Sequence, residues 1–130
     1  MDQAYWHKTL NLPFVQGLAR TKAAFQAQGF GLLTEIDVQA TLQVKLNQTT
    51  QPYYILGWCL PQVAAQALAA APQVGLFLPC KAIVYALDQD KTVLSVVKPE
   101  SLFGLLGQPG LTDLVRSVSQ KMEQAFNQVN

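Results

Sequence analysis

The amino-acid sequence predicts one α+β domain, a mixed sheet of about five strands with helices packed mainly on one face as a two-layer sandwich. Two observations carry this prediction. Strand-like and helical segments alternate along the first half of the chain, and two later strand-like segments flank the hairpin signal Asp88-Gln89-Asp90. The early strand–helix–strand units favour parallel pairing while the hairpin requires antiparallel pairing, so the sheet is expected to be mixed.

The first unit is a strand followed by a long helix. Tyr5 to Leu12 mixes aromatic, threonine and apolar residues over a strand-sized window. The helix runs from about Pro13 to Gln28, because proline suits the first turn and Gly29 tolerates the left-handed conformation that ends a helix. A core-facing stripe supports this helix and comprises Phe14, Leu18 and Phe25.

The second unit repeats this order on a smaller scale. Phe30 to Ile36 reads as a strand, and Asp37 is placed to cap a short helix. One face of that helix is apolar and comprises Val38, Leu42 and Leu46. After a break at Pro52, the segment Tyr53 to Cys59 again has strand composition.

The second half of the chain predicts another helix and two antiparallel strands. Pro61 opens an alanine-rich helix that Pro72 ends. The long apolar run from Gly75 to Leu87 contains Pro79 and predicts the fourth strand, and Thr92 to Val97 predicts the fifth.

Two helices complete the predicted domain. Pro99 begins a short one, and the segment Gly107 to Gly110 separates it from a final helix. The final helix has the most regular apolar stripe of the chain, which comprises Val115, Val118, Met122, Phe126 and Val129. No linker divides residues 1–130, so a single domain is expected.

Composition excludes several classes of partner. Charged residues make up 13% of the 130 residues, against roughly 25% in a typical soluble domain, and the net charge is +1. Without a Lys/Arg cluster, neither nucleic acid nor an anionic membrane surface is an expected partner. No apolar stretch reaches the length of about 18 residues that a transmembrane helix needs. The N-terminal residues lack signal-peptide features and the chain has only two cysteines, so a cytoplasmic location is expected.

Several spaced segments carry a resemblance to a known family. They are Gly29 to Val38, Lys45-Leu46, Tyr54 to Pro61, Ala67-Leu68, Pro72, Gly75 and Leu78 to Cys80. In this order they resemble the domain-of-unknown-function 302 family, over nearly the whole chain from Tyr5 to the last helix. Leu60 departs from the family's pattern, which commonly has asparagine there. The resemblance implies a compact α+β fold that tends to form a homodimer, and it implies no established activity.

Four residues are candidates for ligand binding. Cys59 and Cys80 are the first two, since thiolates suit redox chemistry and soft metals. For a metal site they are only weak candidates, because a structural zinc site needs four ligands and these cysteines supply two. Glu35 and Asp37 are the other two, because a parallel crossover would place them at the same sheet edge as Cys59. Each has a structural alternative: core packing for the thiols, helix capping for Asp37, and pairing with Lys45 or Lys81 for Glu35.

Three functions stay open at this point. The chain is a non-catalytic module that binds or senses a small ligand, a metal or haem as a homodimer; a thiol- or carboxylate-dependent enzyme; or a structural or protein-interaction domain. We favour binding, because most catalytic schemes need a base or nucleophile pair that this sequence does not display. The sequence names neither the ligand nor any cofactor.

Overall fold

The computed structural model describes residues 4–130. The strands are β1 Tyr5–Leu10, β2 Gly31–Asp37, β3 Tyr53–Cys59, β4 Cys80–Ala86 and β5 Thr92–Val97. The helices are α1 Phe14–Ala27, α2 Val38–Leu46, α3 Pro61–Ala70, α4 Pro99–Phe103 and α5 Thr112–Gln128, with 3-10 segments at Pro72–Phe77, Gly104–Leu106 and Pro109–Leu111. Within the described range, no helix combines the length and apolar character that crossing a membrane requires.

The five strands form one sheet in the order β1-β5-β4-β3-β2. The α+β class and the strand number are confirmed. Every neighbouring pair is antiparallel, so the parallel pairing expected for the early strands is wrong. β1 and β2 lie at opposite edges, and α1 carries the chain between them along the helical face of the sheet, where it contacts β4 and β5.

α2 lies in the connection between the paired strands β2 and β3. Asp37 accepts a hydrogen bond from the backbone N–H of Ala40 at 2.9 Å and so begins α2 at the end of β2, as the capping prediction required. None of the residues of α2 is buried, whereas a crossover helix buries one face on its sheet. The helix therefore belongs to a long connection between antiparallel strands, and β3 returns alongside β2.

The fourth strand is shorter than the sequence predicts. Pro72–Phe77 forms a 3-10 helix instead of extended chain, and β4 begins only at Cys80. Pro79 has no N–H to donate to a sheet ladder, which explains why regular pairing starts after it.

One face of the sheet holds the core. The stripe predicted for α1 is confirmed, since Phe25 is fully buried and Phe14 and Leu18 pack against the core. The stripe predicted for α5 is confirmed through buried Met122 and Phe126. Strand residues of the same face alternate with outward ones, so Leu56, Trp58, Cys80, Ala82, Val84, Leu94 and Val96 all join this core.

The opposite face of the sheet, here called the outer sheet face, carries the alternate residues of each strand. It includes Tyr5, Ile36, Tyr53, Ile55, Ile83 and Tyr85. The rings of Tyr53 and Tyr85 stack with centroids 5.4 Å apart. None of these six residues belongs to the core cluster, and Tyr5 and Ile36 are exposed.

Candidate functional site

The two cysteines lie close together at one end of the sheet. Cys80 begins β4 directly opposite Trp58 of β3, and Cys59 is the next residue of β3. Both cysteines line one small cavity, which we call the inner chamber. The register that the sequence left undecided therefore brings both cysteines to the walls of the same cavity, and neither forms a disulfide.

The inner chamber has a volume of about 40 Å³ and lies between the sheet, α3 and α5. Its walls are almost wholly apolar and include Phe30, Val63, Ala64, Ala67, Val74, Leu114 and Val118. Trp58 also lines the chamber and is fully buried. Its indole Nε1 finds no hydrogen-bond acceptor among the described residues.

Burial keeps both thiols protonated. It raises the pKa of Cys59, and it raises the pKa of Cys80 to about 11, with the neighbouring Cys59 adding to the effect and Lys81 opposing it. A nucleophilic or redox-active cysteine needs a lowered pKa, because the thiolate is the reactive form. At neutral pH both thiols are therefore protonated, as expected for cysteines that pack in a protein interior.

The raised pKa of Cys80 predicts a loss of stability in alkali. Below pH 9 the thiol is protonated in both states, and between pH 9 and about 11 only the unfolded chain loses its proton. Stability should fall across this window, by up to about 3 kcal/mol for this group. Urea unfolding of the wild type and Cys80→Ala across the window checks this, and the variant should show the shallower decline. Equal declines would show that Cys80 does not contribute.

Glu35 and Asp37 do not converge with the cysteines, contrary to the expectation from a parallel crossover. Antiparallel register places Asp37 opposite Tyr54 and Cys59 opposite Gly31, so Asp37 and Cys59 lie at opposite ends of the β2–β3 pair. Six residues of strand separate these ends, a distance of about 20 Å.

Both carboxylates are explained by structural contacts. Glu35 pairs with Lys22 at 2.5 Å, and neither Lys45 nor Lys81 is its partner. Asp37 caps α2 and also accepts a hydrogen bond from the hydroxyl of Tyr54 at 3.2 Å. The sheet edge that carries them shows no convergent ligand site.

A larger cavity, which we call the outer cleft, lies where β1, α4 and α5 meet. Its volume is about 730 Å³, within the range of about 300–1,000 Å³ that small-molecule sites occupy. α5 contributes one polar face, with Thr112, Arg116, Ser119, Gln120 and Glu123 at helical spacing. Trp6 of β1 and Phe103 of α4 supply aromatic surface on the other walls.

The rim of the outer cleft carries both signs of charge. Lys98 lies with its Nζ 5.7 Å from the centroid of the Trp6 ring, a cation–π arrangement. Glu100 and Glu123 stand on α4 and α5, and neither forms an ion pair among residues 4–130. Arg116 lies 3.7 Å from the exposed Asp113. The cleft thus offers an aromatic wall together with charged groups that form few ion pairs with the rest of the protein.

Sequence reasoning missed the outer cleft because its residues come from four separate segments. Gly107 to Gly110 were treated as a separator, yet this segment forms part of the cleft wall. A weak signal was present: the polar residues of α5 at positions 112, 116, 119, 120 and 123 form a stripe of their own beside the apolar one.

Neither cavity fits haem or a structural metal. The outer cleft is lined by no His, Cys, Met or Tyr, the side chains that hold haem iron. The inner chamber is far too small for a porphyrin and offers two thiols alone. Among the described residues, no group of three or more His, Cys, Asp or Glu side chains is placed to hold a metal ion. The outer cleft alone of the two has the volume of a small-molecule site.

Comparison with known proteins places the chain in a family. The model of the family "Domain of unknown function DUF302" matches residues 6–129. A crystal structure of an uncharacterized conserved protein DUF302 from Bacillus stearothermophilus is similar with a TM-score of 0.88 and 26% sequence identity, over 99% of this chain and 100% of that one. No curated protein matches. The resemblance found in the sequence is thus confirmed, and the chain belongs to the DUF302 family.

Proposed function

We propose that this chain is a non-catalytic module that binds a small organic ligand in the outer cleft. The cleft itself is the observation that carries the proposal, since its volume of about 730 Å³ accommodates such a molecule. The Trp6 and Phe103 rings offer stacking surface for the apolar part of the ligand. Lys98, Glu100 and Glu123 offer hydrogen bonds and charge to its polar part.

Binding is favoured over catalysis by the chemistry of the cleft. Its lining side chains include no histidine or cysteine, and its carboxylates Glu100 and Glu123 form no ion pair among residues 4–130 that could serve as an acid–base pair. The thiols lie in the separate inner chamber with raised pKa values. An enzyme would need an activated nucleophile or base in contact with its substrate.

The module acts as a homodimer in this proposal, and a second copy covers the outer sheet face. This face is rich in aliphatic and tyrosine side chains, and Lys81 is the charged residue that the described strands place on it. Aromatic residues with few charges are typical of the buried part of protein interfaces. The outer cleft lies on the helical side of the sheet, so such a dimer leaves the cleft accessible.

Native mass spectrometry of protein purified without added ligand tests the proposal. We expect a dimer that carries one bound organic mass per chain. Ser119→Phe should remove the bound mass, because Ser119 lies half-buried on the cleft wall and the phenyl ring occupies the cavity. Gln124→Phe is the matched control, since Gln124 is exposed on α5 outside the cleft and its variant should keep the bound mass.

The two parts of the proposal fail separately. A wild-type spectrum without any bound mass, or a bound mass that survives in Ser119→Phe, argues against the outer cleft as the ligand site. A monomer at micromolar concentration argues against the dimer. Ile83→Lys, which places a second charge on the outer sheet face, should shift a real dimer to monomer while the bound mass is retained.

A further inference from the structure

The outer cleft is lined by residues of both charges that do not neutralise one another. Lys98 and Arg116 supply the positive charges. Glu100 and Glu123 supply the negative ones. Among the described residues, none of these four forms an ion pair with another, and Arg116 approaches only Asp113, which lies outside the cleft lining. Opposite charges therefore border one cavity and stand too far apart to pair across it.

Two of these charges, Lys98 and Glu123, stand near the same aromatic ring. Trp6 packs beside Phe126, with the ring centroids 6.3 Å apart. Glu123 precedes Phe126 by three positions in α5, a spacing that makes two helix residues surface neighbours. Lys98 approaches the other partner of this aromatic pair, since its Nζ lies 5.7 Å from the Trp6 centroid. A cation and a carboxylate thus flank the aromatic wall of the cleft without contacting each other.

Lys98 differs from the other lysine beside this aromatic pair. The Nζ of Lys8 lies 4.4 Å from the Phe126 centroid and donates a hydrogen bond to the backbone carbonyl of Phe126, and Lys8 does not line the cleft. Lys98 is half-buried, lines the cleft and has no carboxylate partner among the described residues. Of the two ammonium groups, the one on Lys98 is therefore available to a ligand.

We propose that the ligand of the outer cleft is a zwitterion with an apolar ring, whose carboxylate pairs with Lys98 and whose ammonium group pairs with Glu123. This inference rests on the proposed function, since it names the class of ligand for the same cleft. The ring lies on the apolar part of the lining, which comprises Phe103, Leu111 and Val115. A ligand with a single charge would displace water from both protein charges and satisfy only one, which costs affinity.

Three probes with one carbon skeleton separate the two ionic contacts. L-phenylalanine carries both charges, 3-phenylpropanoate carries only the carboxylate, and phenethylamine carries only the ammonium group. The chain has two tryptophans, Trp6 and Trp58, so it gives two indole N–H signals in a proton–nitrogen NMR spectrum. Trp6→Phe assigns them. Because Trp6 lines the cleft, the saturable movement of its signal during a titration at neutral pH measures the affinity of each probe.

Phenylalanine should bind about tenfold more tightly than either singly charged probe, because it makes one more hydrogen bond between charged groups. Lys98→Gln should weaken phenylalanine and phenylpropanoate by about tenfold and leave phenethylamine unchanged. Glu123→Gln should weaken phenylalanine and phenethylamine to the same extent and leave phenylpropanoate unchanged. Lys121→Gln is the matched control, since Lys121 is exposed on α5 outside the cleft, and it should leave all three affinities unchanged.

The inference is overturned if phenylalanine leaves the Trp6 signal unmoved, if the three probes bind equally, or if Lys98→Gln and Glu123→Gln weaken all three alike. These outcomes are separable from failure of the proposed function. A bound mass that Ser119→Phe removes, with equal affinities for the three probes, keeps the outer cleft as a ligand site and refutes the zwitterion. Selective binding of phenylalanine that both variants weaken, in protein that never carries a bound mass, supports the zwitterion, while the bound mass expected under the proposed function is refuted.

Discussion

Phe25→Ala should lower the free energy of unfolding by about 3–5 kcal/mol, the usual cost of removing a buried phenylalanine. Phe25 has 0% of its surface exposed and contacts two other rings, Trp58 at 4.9 Å and Phe30 at 5.6 Å between centroids. It lies in the last turn of α1 and joins that helix to β3 through Trp58. Its removal leaves a void that the aromatic neighbours cannot fill without moving. Urea unfolding at equilibrium measures the loss.

Val15→Ala is the matched control for Phe25→Ala. Val15 belongs to the same helix but is 76% exposed, so its truncation should change the free energy of unfolding by less than about 0.5 kcal/mol. A loss below about 1 kcal/mol for Phe25→Ala would mean that the core relaxes into the space, and that Trp58 is not held by this stack.

The sequence predicted the elements better than their arrangement. Periodicity located α1 and α5 because each buries a regular stripe, and such a stripe depends on residues near in sequence. Strand direction depends on how a connection crosses the sheet, which no local pattern states. The short α2 was interpreted as a crossover, whereas β2 and β3 pair antiparallel and none of the residues of α2 is buried.

The error in strand direction also misplaced a candidate site. Parallel pairing would have brought Glu35 and Asp37 to the edge that holds Cys59. Antiparallel pairing reverses β3 and instead brings Cys59 next to Cys80, the one candidate pairing that the sequence left open. Of the four candidate residues, only Cys59 and Cys80 therefore lie close together, because the strand register places them side by side.

The outer cleft was beyond prediction for a related physical reason. Its walls come from β1, α4, the segment after α4, and α5, so the cavity exists only once the tertiary contacts form. Trp6 reads as an ordinary strand residue and Ser119 as an ordinary polar helix residue. Concavity has no sequence pattern, whereas a catalytic motif or a metal-ligand spacing does.

The two cavities lie on parts of the fold that differ in local stability. The inner chamber rests on β3 and β4, central strands that are paired on both sides. The outer cleft rests on the edge strand β1 and on a segment of short helical turns from Gly104 to Leu111. Segments with few regular backbone hydrogen bonds open at lower free energy than central strands do. The walls of the outer cleft are therefore expected to open more readily than those of the inner chamber.

Gly57→Ala is expected to destabilise the protein by about 3 kcal/mol, at the upper end of the usual cost of overpacking. A Cβ atom at Gly57 would overlap the hydroxyl oxygen of Thr34 and the ring of Pro79. Gly57 lies in the central strand β3, paired with Thr34 on one side and with Lys81 on the other. The added methyl group must therefore push β2 or the start of β4 away from β3.

Gly104→Ala separates this steric effect from the general effect of replacing glycine. Nothing lies within 4 Å of a Cβ at Gly104, and its φ of −59° suits alanine. That variant should be as stable as the wild type or more stable by about 0.4–1 kcal/mol, because alanine restricts the unfolded chain. Urea unfolding of both variants gives the comparison. If Gly57→Ala matches Gly104→Ala, the neighbours of Gly57 yield to a methyl group, and close packing does not fix the strand that carries Trp58 and Cys59.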